Sequence, residues 1–210
     1  MEILFEDDEI IVCLKPAGIP SEGTSGKTVL SLLSEREKSP SVFSVHRLDR
    51  ETQGIMVFAK SSRSASELSR QITEKAFVKK YYAVLKDCPE QKKGELCDLL
   101  YRDKQKNKTY VVKRMRKGVR EASLEYEIRE EFDGFSLADI LLHTGRTHQI
   151  RVQFASRKMP LYGDGKYGGG SGGLCLFAYH LEFYHPVTGE KMIFDKEKEA
   201  YENLKEIIRR

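Results

Sequence analysis

No tryptophan occurs in this chain, and none of its four cysteines, Cys13, Cys88, Cys97 and Cys175, is spaced as a C-x-x-C pair. No histidine lies at zinc-ligand spacing from them either, so the usual signature of a structural zinc site is missing. Cys13 and Cys175 fall in the apolar runs "IIVCL" and "LCLFAY" and read as small buried hydrophobes. No apolar stretch approaches the roughly 20 residues of a membrane-spanning helix. The first residues, "MEILFEDDE", lack the basic and apolar regions of a signal peptide. There is no internal repeat and no low-complexity linker. A reduced, cytoplasmic, globular chain with no metal, no cofactor and no membrane partner is the expectation. Glycines crowd into "GDGKYGGGSGG", residues 163–173, but do not follow a strand and open a helix, which excludes a nucleotide-binding loop and leaves a flexible one.

What the chain does have is ordinary apolar content and unevenly placed charge. The net charge is only +4, yet residues 101–120, "YRDKQKNKTYVVKRMRKGVR", hold nine Lys/Arg against one Asp. Such a patch draws polyanions, because each neutralised phosphate releases counterions. A solvated basic hairpin is the alternative. A length of 210 residues suits one large domain or two small ones, and a single domain over 1–210 is expected.

"ILF" and "IIVCL", separated by "EDDE", read as paired strands. "KPAGIPSEGTSGKT" is loop and "TVLSLLSERE" a short helix. Residues 55–59 form a strand. "SSRSASELSRQITEK" opens on serines fit to cap a helix, with Ala65, Leu68 and Ile72 at helical spacing. "FVKKYYAVLKD", "EASLEYEIRE" and "FSLADILLHT" alternate as strands do, and "GRTHQIRVQFASR" places Ile150 and Phe154 on one face of a helix capped by Thr144 or Thr147. "LCLFAYHLEFYHPVTGEKMIFD" is two strands joined by a Pro/Gly turn. The tail is a polar helix with Tyr201, Leu204 and Ile208 on one side. Many strands with short connections predict an α+β fold: a mixed, largely antiparallel sheet flanked by helices and loops.

Three segments carry candidate chemistry. "HRLDRETQG", residues 46–54, sets Asp49 between two arginines directly before an apolar strand. "KKYYAVL" puts Tyr81 and Tyr82 on opposite faces of a strand. "HTGRTHQIR" sets His148 and Arg151 three apart on one helix face. His143 and His148, five apart, are poorly spaced for a metal.

These segments, with "LYGDGKYGG", the opening "EDDEIIVCLKPAGIP" and the later "YHLEFYHPVTGE", resemble the RluA-type RNA pseudouridine synthases, in the family's order from about residue 3 to about 195. The resemblance implies an isomerase with an active-site cleft that flips a uridine out of structured ribosomal or transfer RNA and reattaches its base through C5. It implies Asp49 as the essential carboxylate, and the residue type suits that chemistry. Breaking a glycosidic bond builds positive charge at C1′, which a carboxylate stabilises or traps. It implies Arg151 as the cation paired with that carboxylate, keeping it ionised. Tyr81 is the implied stacking partner of the uracil and candidate base for the C5 proton. Arg47 is the implied guanidinium that fills the RNA stack where the base left. His46, Arg146 and His148, with Lys113, Arg114, Arg116 and Lys117 of the basic patch, are expected to contact the RNA. An N-glycosidase, which would want a second acid near Asp49, and a non-catalytic RNA-binding module of the same fold are the alternatives. Gln53, where the family commonly has Ser, and Phe177, where it often has His, depart from the pattern. The chain opens on the first catalytic-domain strand, so the S4-like module of many relatives is expected to be absent. A monomer is expected.

Overall fold

Asp7 explains how the chain begins. Its Oδ1 accepts the N–H groups of Glu9 and Ile10, both at 2.8 Å, closing the acidic turn. β1 (Glu2–Glu6) and β2 (Ile10–Lys15) therefore pair antiparallel, as expected. The structure, a computed structural model, describes residues 1–24, 26–38, 41–132 and 134–209. The Ile208 side chain of the expected tail face lies outside the described residues.

The chain divides into two compact units. The first holds residues 1–79 and 178–197. Its helices are α1 (Val29–Glu37) and α2 (Ser62–Thr73), and its strands include the short β3 (Phe43–Ser44) and β4 (Gln53–Ala59). The strands run in the order β1, β2, β4, β10 (Leu176–Tyr184), β11 (Lys191–Asp195), with β3 on β4. Every residue of β2 is buried, so it reads as a continuous apolar run rather than an alternating one. Thr28 and Ser31 form a capping box at the start of α1, and Ser61 caps α2 by accepting from Ser64 N at 3.1 Å. The buried residues of α2 are Ser64, Leu68 and Gln71, so only Leu68 of the expected apolar set is fully covered. Gln71 is drawn inward because its amide bonds both the N–H and the C=O of Tyr184, each at 2.9 Å.

The second unit holds residues 80–177 and 198–210. β5 (Val78–Lys86), β6 (Lys93–Asp103), β7 (Lys108–Val112), β8 (Val119–Phe132) and β9 (Phe135–Leu142) run in the order β5, β9, β8, β6, β7, all antiparallel. The basic stretch is thus the end of β6, a tight turn, β7 and the loop into β8. α3 (Gln149–Ala155) lies against β6 and β7. It is buried on all sides except at Ala155, because Gln153 donates to Leu96 O and Asp98 Oδ2 while Val152 packs with Leu100 and Ala122. α4 (Glu197–Arg209) lays Tyr201 edge-on against Tyr82 at 6.3 Å, which gives Tyr82 its packing role. Mostly antiparallel strands flanked, among the described residues, by four helices make this the α+β class expected from sequence. The cysteines are free, and burial pushes the thiols of Cys13 and Cys175 up to about 12. No helix among the described residues is long and apolar enough to cross a membrane.

Candidate active site

Asp49 sits in the loop before β4, between two residues pinned to the loop that follows β2. On one side, Ser21 Oγ accepts from Leu48 N at 3.0 Å and donates to Leu48 O at 2.8 Å. On the other, Arg50 O accepts from Gly18 N at 2.9 Å and from Lys15 Nζ at 3.0 Å, and Arg50 Nε donates to Gly18 O at 2.9 Å. Thr52 N closes the turn on Asp49 O at 3.1 Å. Lys15 is fully buried and also donates to Pro16 O and Ile19 O, at 2.8 and 2.7 Å. Burial pulls its ammonium down to about 8, against the opposing pull of Asp49 and Glu51. Gly54 ends the motif at φ 144°, and a Cβ there would lie 2.4 Å from Ala178 O, so only glycine lets β4 approach β10 this closely. The backbone around Asp49 is therefore held from both sides and from below.

The two residues Arg47 and His46, at the start of the motif, have different roles. Arg47 is exposed, with only a loose 3.9 Å approach to Glu22, so its guanidinium faces solvent. His46 instead turns Nε2 toward β4 and accepts from Val57 N at 3.0 Å, edge-on to Phe77. Burial lowers its pKa to about 3, with Lys79 adding to the effect, so the ring is a neutral acceptor fastening the loop to the sheet. The structure thus gives His46 an internal partner, where the sequence suggests a contact with RNA.

Arg151 lies on α3 and is buried. Its fork grips Asp164 in two bonds, Nε to Oδ2 at 2.7 Å and Nη2 to Oδ1 at 2.8 Å. Asp164 is 1% exposed, and its Oδ1 also accepts from Lys166 N and Tyr167 N at 3.1 and 3.2 Å. The loop expected to be flexible is thus an ordered turn over residues 161–169. Asp164 N bonds Leu161 O, Gly169 N bonds Asp164 O and Gly163 N bonds Gly169 O. At Gly163 (φ 74°) a Cβ would lie 1.7 Å from Gly173 O, and at Gly169 1.7 Å from Leu161 O, so these two glycines serve close packing rather than mobility.

The start of α3 also corrects the sequence reading. The N-cap is His148, in the left-handed region at φ 54°, not Thr144 or Thr147. Thr144 Oγ1 is spent on Ser123 N of β8 at 3.0 Å and on Gln149 Oε1 of α3 at 2.7 Å. Gln149 Oε1 accepts from Arg146 N at 3.0 Å instead. His148 is buried, with Nδ1 2.9 Å from the Tyr167 hydroxyl. Arg146 is exposed and donates from Nε to Glu121 O at 3.0 Å. Tyr81 is buried on β5 opposite Ile140. Lys113, Arg114, Arg116 and Lys117 are all exposed on the loop between β7 and β8, with Arg116 over the Tyr101 ring at 5.1 Å. Sequence reasoning misses Lys15, Ser21, Asp164 and Tyr167. A signal exists only for Asp164: a single acid among glycines in "YGDGKYGG" needs partners if that segment folds inward.

A family model described as RNA pseudouridylate synthase matches residues 9–156. An RNA pseudouridine synthase of Aquifex aeolicus is 37% identical, over 97% of this chain and 72% of that protein. The ribosomal large subunit pseudouridine synthase D of Vibrio cholerae is 33% identical, over 92% of this chain and 66% of that protein. Among solved structures, human RNA pseudouridylate synthase domain containing 4 superposes with a TM-score of 0.78 over 97% of this chain and 93% of that one. At 21% identity that is a likeness of fold.

Proposed function

The chain belongs to the RNA pseudouridylate synthase family, and on that premise we propose that it isomerises uridine to pseudouridine in structured ribosomal or transfer RNA, in the cytoplasm, with Asp49 as its essential carboxylate. The observation that carries this reading is the double pinning of Leu48 and Arg50, which fixes the backbone of the one acid between them. A carboxylate that must meet C1′ as the glycosidic bond breaks gains most from such fixed placement. Arg151 supplies the accompanying positive charge, and Tyr81 the ring over the uracil and the candidate base for the C5 proton. Exposed Arg47 suits the place left by a flipped base, because a guanidinium plane can stack where the base was. The name of the Vibrio relative favours ribosomal RNA among the two substrates.

An N-glycosidase would need a second acid able to give a proton or activate water. Asp164 is unsuited to that work, since its oxygens are committed to the Arg151 fork and two backbone N–H groups. Asp49→Asn keeps the shape of the loop and removes the charge. It is expected to abolish pseudouridine formation while RNA affinity stays within a few-fold, because affinity rests mainly on phosphate contacts. Pseudouridine mapping of RNA incubated with the variant is the test, and measurable product overturns the assignment. Binding has its own test. Replacing Lys113, Arg114, Arg116 and Lys117 with Gln should flatten the log–log salt dependence by roughly 0.7–0.9 for each phosphate no longer neutralised. An unchanged slope makes the loop a solvated face only.

A further inference from the structure

Arg151 and the hairpin of β6 and β7 meet at one side chain. Tyr167 comes from the same turn as Asp164. Its ring lies 5.3 Å from the Arg151 guanidinium carbon and 5.1 Å from Lys108 Nζ, within cation–π range of both. Its hydroxyl reaches β7: it accepts from Thr109 N at 2.8 Å and donates to Thr109 O at 3.2 Å. β7 is the last strand in its order, so Thr109 offers edge groups and the phenol fills the place of a missing neighbour. The third partner of the hydroxyl is His148 Nδ1, and all three bonds are satisfied together when that nitrogen carries the imidazole proton. Two more bonds run in parallel. Thr109 Oγ1 donates to Thr147 O at 2.9 Å, and Lys166 Nζ donates to Asn107 O at 2.9 Å.

A fork-to-fork pair fixes the plane of a guanidinium as well as its position, which a single contact cannot do. Asp164 can do this for Arg151 because Asp164 is itself fixed, by the N–H groups of Lys166 and Tyr167 and by a turn in which Gly163 and Gly169 leave no room for a Cβ atom. From the same turn, Tyr167 carries the connection out to the strand that leads into the basic loop. Hairpin, turn and arginine form one bonded chain.

We propose that Asp164 and Tyr167 are positioning residues for Arg151, and that Tyr167 joins the basic hairpin to the same device, so that seating RNA on the hairpin sets the arginine. This rests on the reading of Arg151 as a working cation and of the loop into β8 as an RNA surface. A purely structural role, capping the edge of β7, is the competing account, and it predicts different kinetics.

The test uses the full chain and ribosomal and transfer RNA transcribed in vitro without modification, with kcat, KM, RNA Kd and melting temperature measured for each variant. Tyr167→Phe keeps the ring and removes all three hydroxyl bonds. Asp164→Asn keeps the shape and removes the charge. Both are expected to lower kcat about 10- to 100-fold, the scale of a misplacement near 1 Å, with Kd within about threefold. Neutralising Lys113 and Lys117 should lower both affinity and kcat in the native background. In the Tyr167→Phe background it should lower affinity alone, because the connection is already cut. Wild-type kcat in Tyr167→Phe and Asp164→Asn, with only melting temperature or KM changed, overturns the proposal. So do kcat effects that simply multiply. Arg151→Met combined with Asp164→Leu replaces the whole buried pair and separates the two levels. If that double variant turns over at the wild-type rate, or if the native protein forms no pseudouridine in these RNAs, the underlying reading falls and the proposal with it. If the double variant is inactive while Asp164→Asn is unimpaired, only the positioning claim falls.

Discussion

Lys15 and Arg151 are both buried cations next to loops of the proposed site, one in each unit, and the chain meets their charge in opposite ways. Lys15 faces three backbone carbonyls, of Pro16, Ile19 and Arg50. Arg151 faces a full carboxylate, Asp164. The difference follows from the two side chains. An ammonium is a compact charge with three donors and can give up a proton when burial is costly, and Lys15 is indeed pulled down to about 8. A guanidinium keeps its proton in a protein, so its burial has to be met by an opposite charge. Lys15 is therefore a brace for the Asp49 loop, tolerant of a weak charge. Arg151 keeps a permanent charge, fixed in place by the Asp164 carboxylate.

The sharpest way to break this comparison is to remove one cation and leave its counterpart behind. Arg151→Met strands Asp164, which is almost fully covered. Breaking a buried pair in this way costs about 3–5 kcal/mol. Adding Asp164→Leu should return part of that stability, since replacing a whole buried pair by apolar side chains is often neutral, less the cost of the Lys166 and Tyr167 N–H groups that lose their acceptor, while activity stays lost. Denaturant unfolding of the single and double variants measures it. A single variant as stable as the native chain would mean that Asp164 does not depend on Arg151.

Lys15→Met is the corresponding cut in the first unit, and its effect should be smaller. It leaves no orphan charge, only carbonyls short of a donor, and each such acceptor costs about 1–3 kcal/mol when buried. A net loss of about 2–3 kcal/mol at pH 7 is expected, with slower turnover because the Asp49 loop is released. Its pH signature is specific. The folded pKa is about 8, below the unfolded value of about 10.4. Between these values the unfolded chain binds the extra proton, so the native protein gains stability as pH rises through this window. The gain from this group is about 2 kcal/mol between pH 7 and pH 9.5. Lys15→Met should lack it, so the gap between native and variant should widen with pH. A gap that is constant across this range would show that Lys15 is not desolvated.

How much of the molecule is legible in sequence depends on the kind of interaction. The paired strands around "EDDE", the serine-capped α2 and the β10–β11 hairpin are legible, because caps, turns and alternation are local. β6 is not, since in "KGELCDLLYRD" its inward face is irregular and its outer face is charged. The N-cap of α3 escapes sequence reasoning because one candidate threonine, Thr144, has a partner across the sheet in Ser123, and the cap is instead His148 in the left-handed region. Asp49, Arg151 and Tyr81 stand out as residue types in motifs. Their supports do not: Lys15 and Ser21 act through backbone atoms about 30 residues away, and Asp164 is hidden by a glycine-rich composition that suggests mobility. Long-range polar contacts leave no periodic trace.

His46 completes the series of basic groups drawn inward, and it sharpens the comparison with the smallest effect. Lys15 keeps a weakened charge against carbonyls and Arg151 stays charged against a carboxylate, whereas His46 drops its charge and becomes an acceptor for Val57 N. The folded pKa of about 3 lies well below the unfolded value of about 6.5. Between about pH 6.5 and 3 the unfolded chain takes up a proton that the native chain refuses. Stability therefore falls as pH drops through about 6.5, and the loss from this group is complete only below about 3. At pH 5 it amounts to about 2 kcal/mol relative to pH 7. His46→Gln offers an amide oxygen to Val57 N and has nothing to titrate. It should be somewhat less stable at pH 7, because the amide lacks the ring's contact with Phe77, and it should lose about 2 kcal/mol less than the native chain on going to pH 5. Urea unfolding of both proteins at pH 7 and pH 5 gives the two differences. Equal acid losses would place the His46 proton on the folded chain, and the ring would then have to be a donor facing outward.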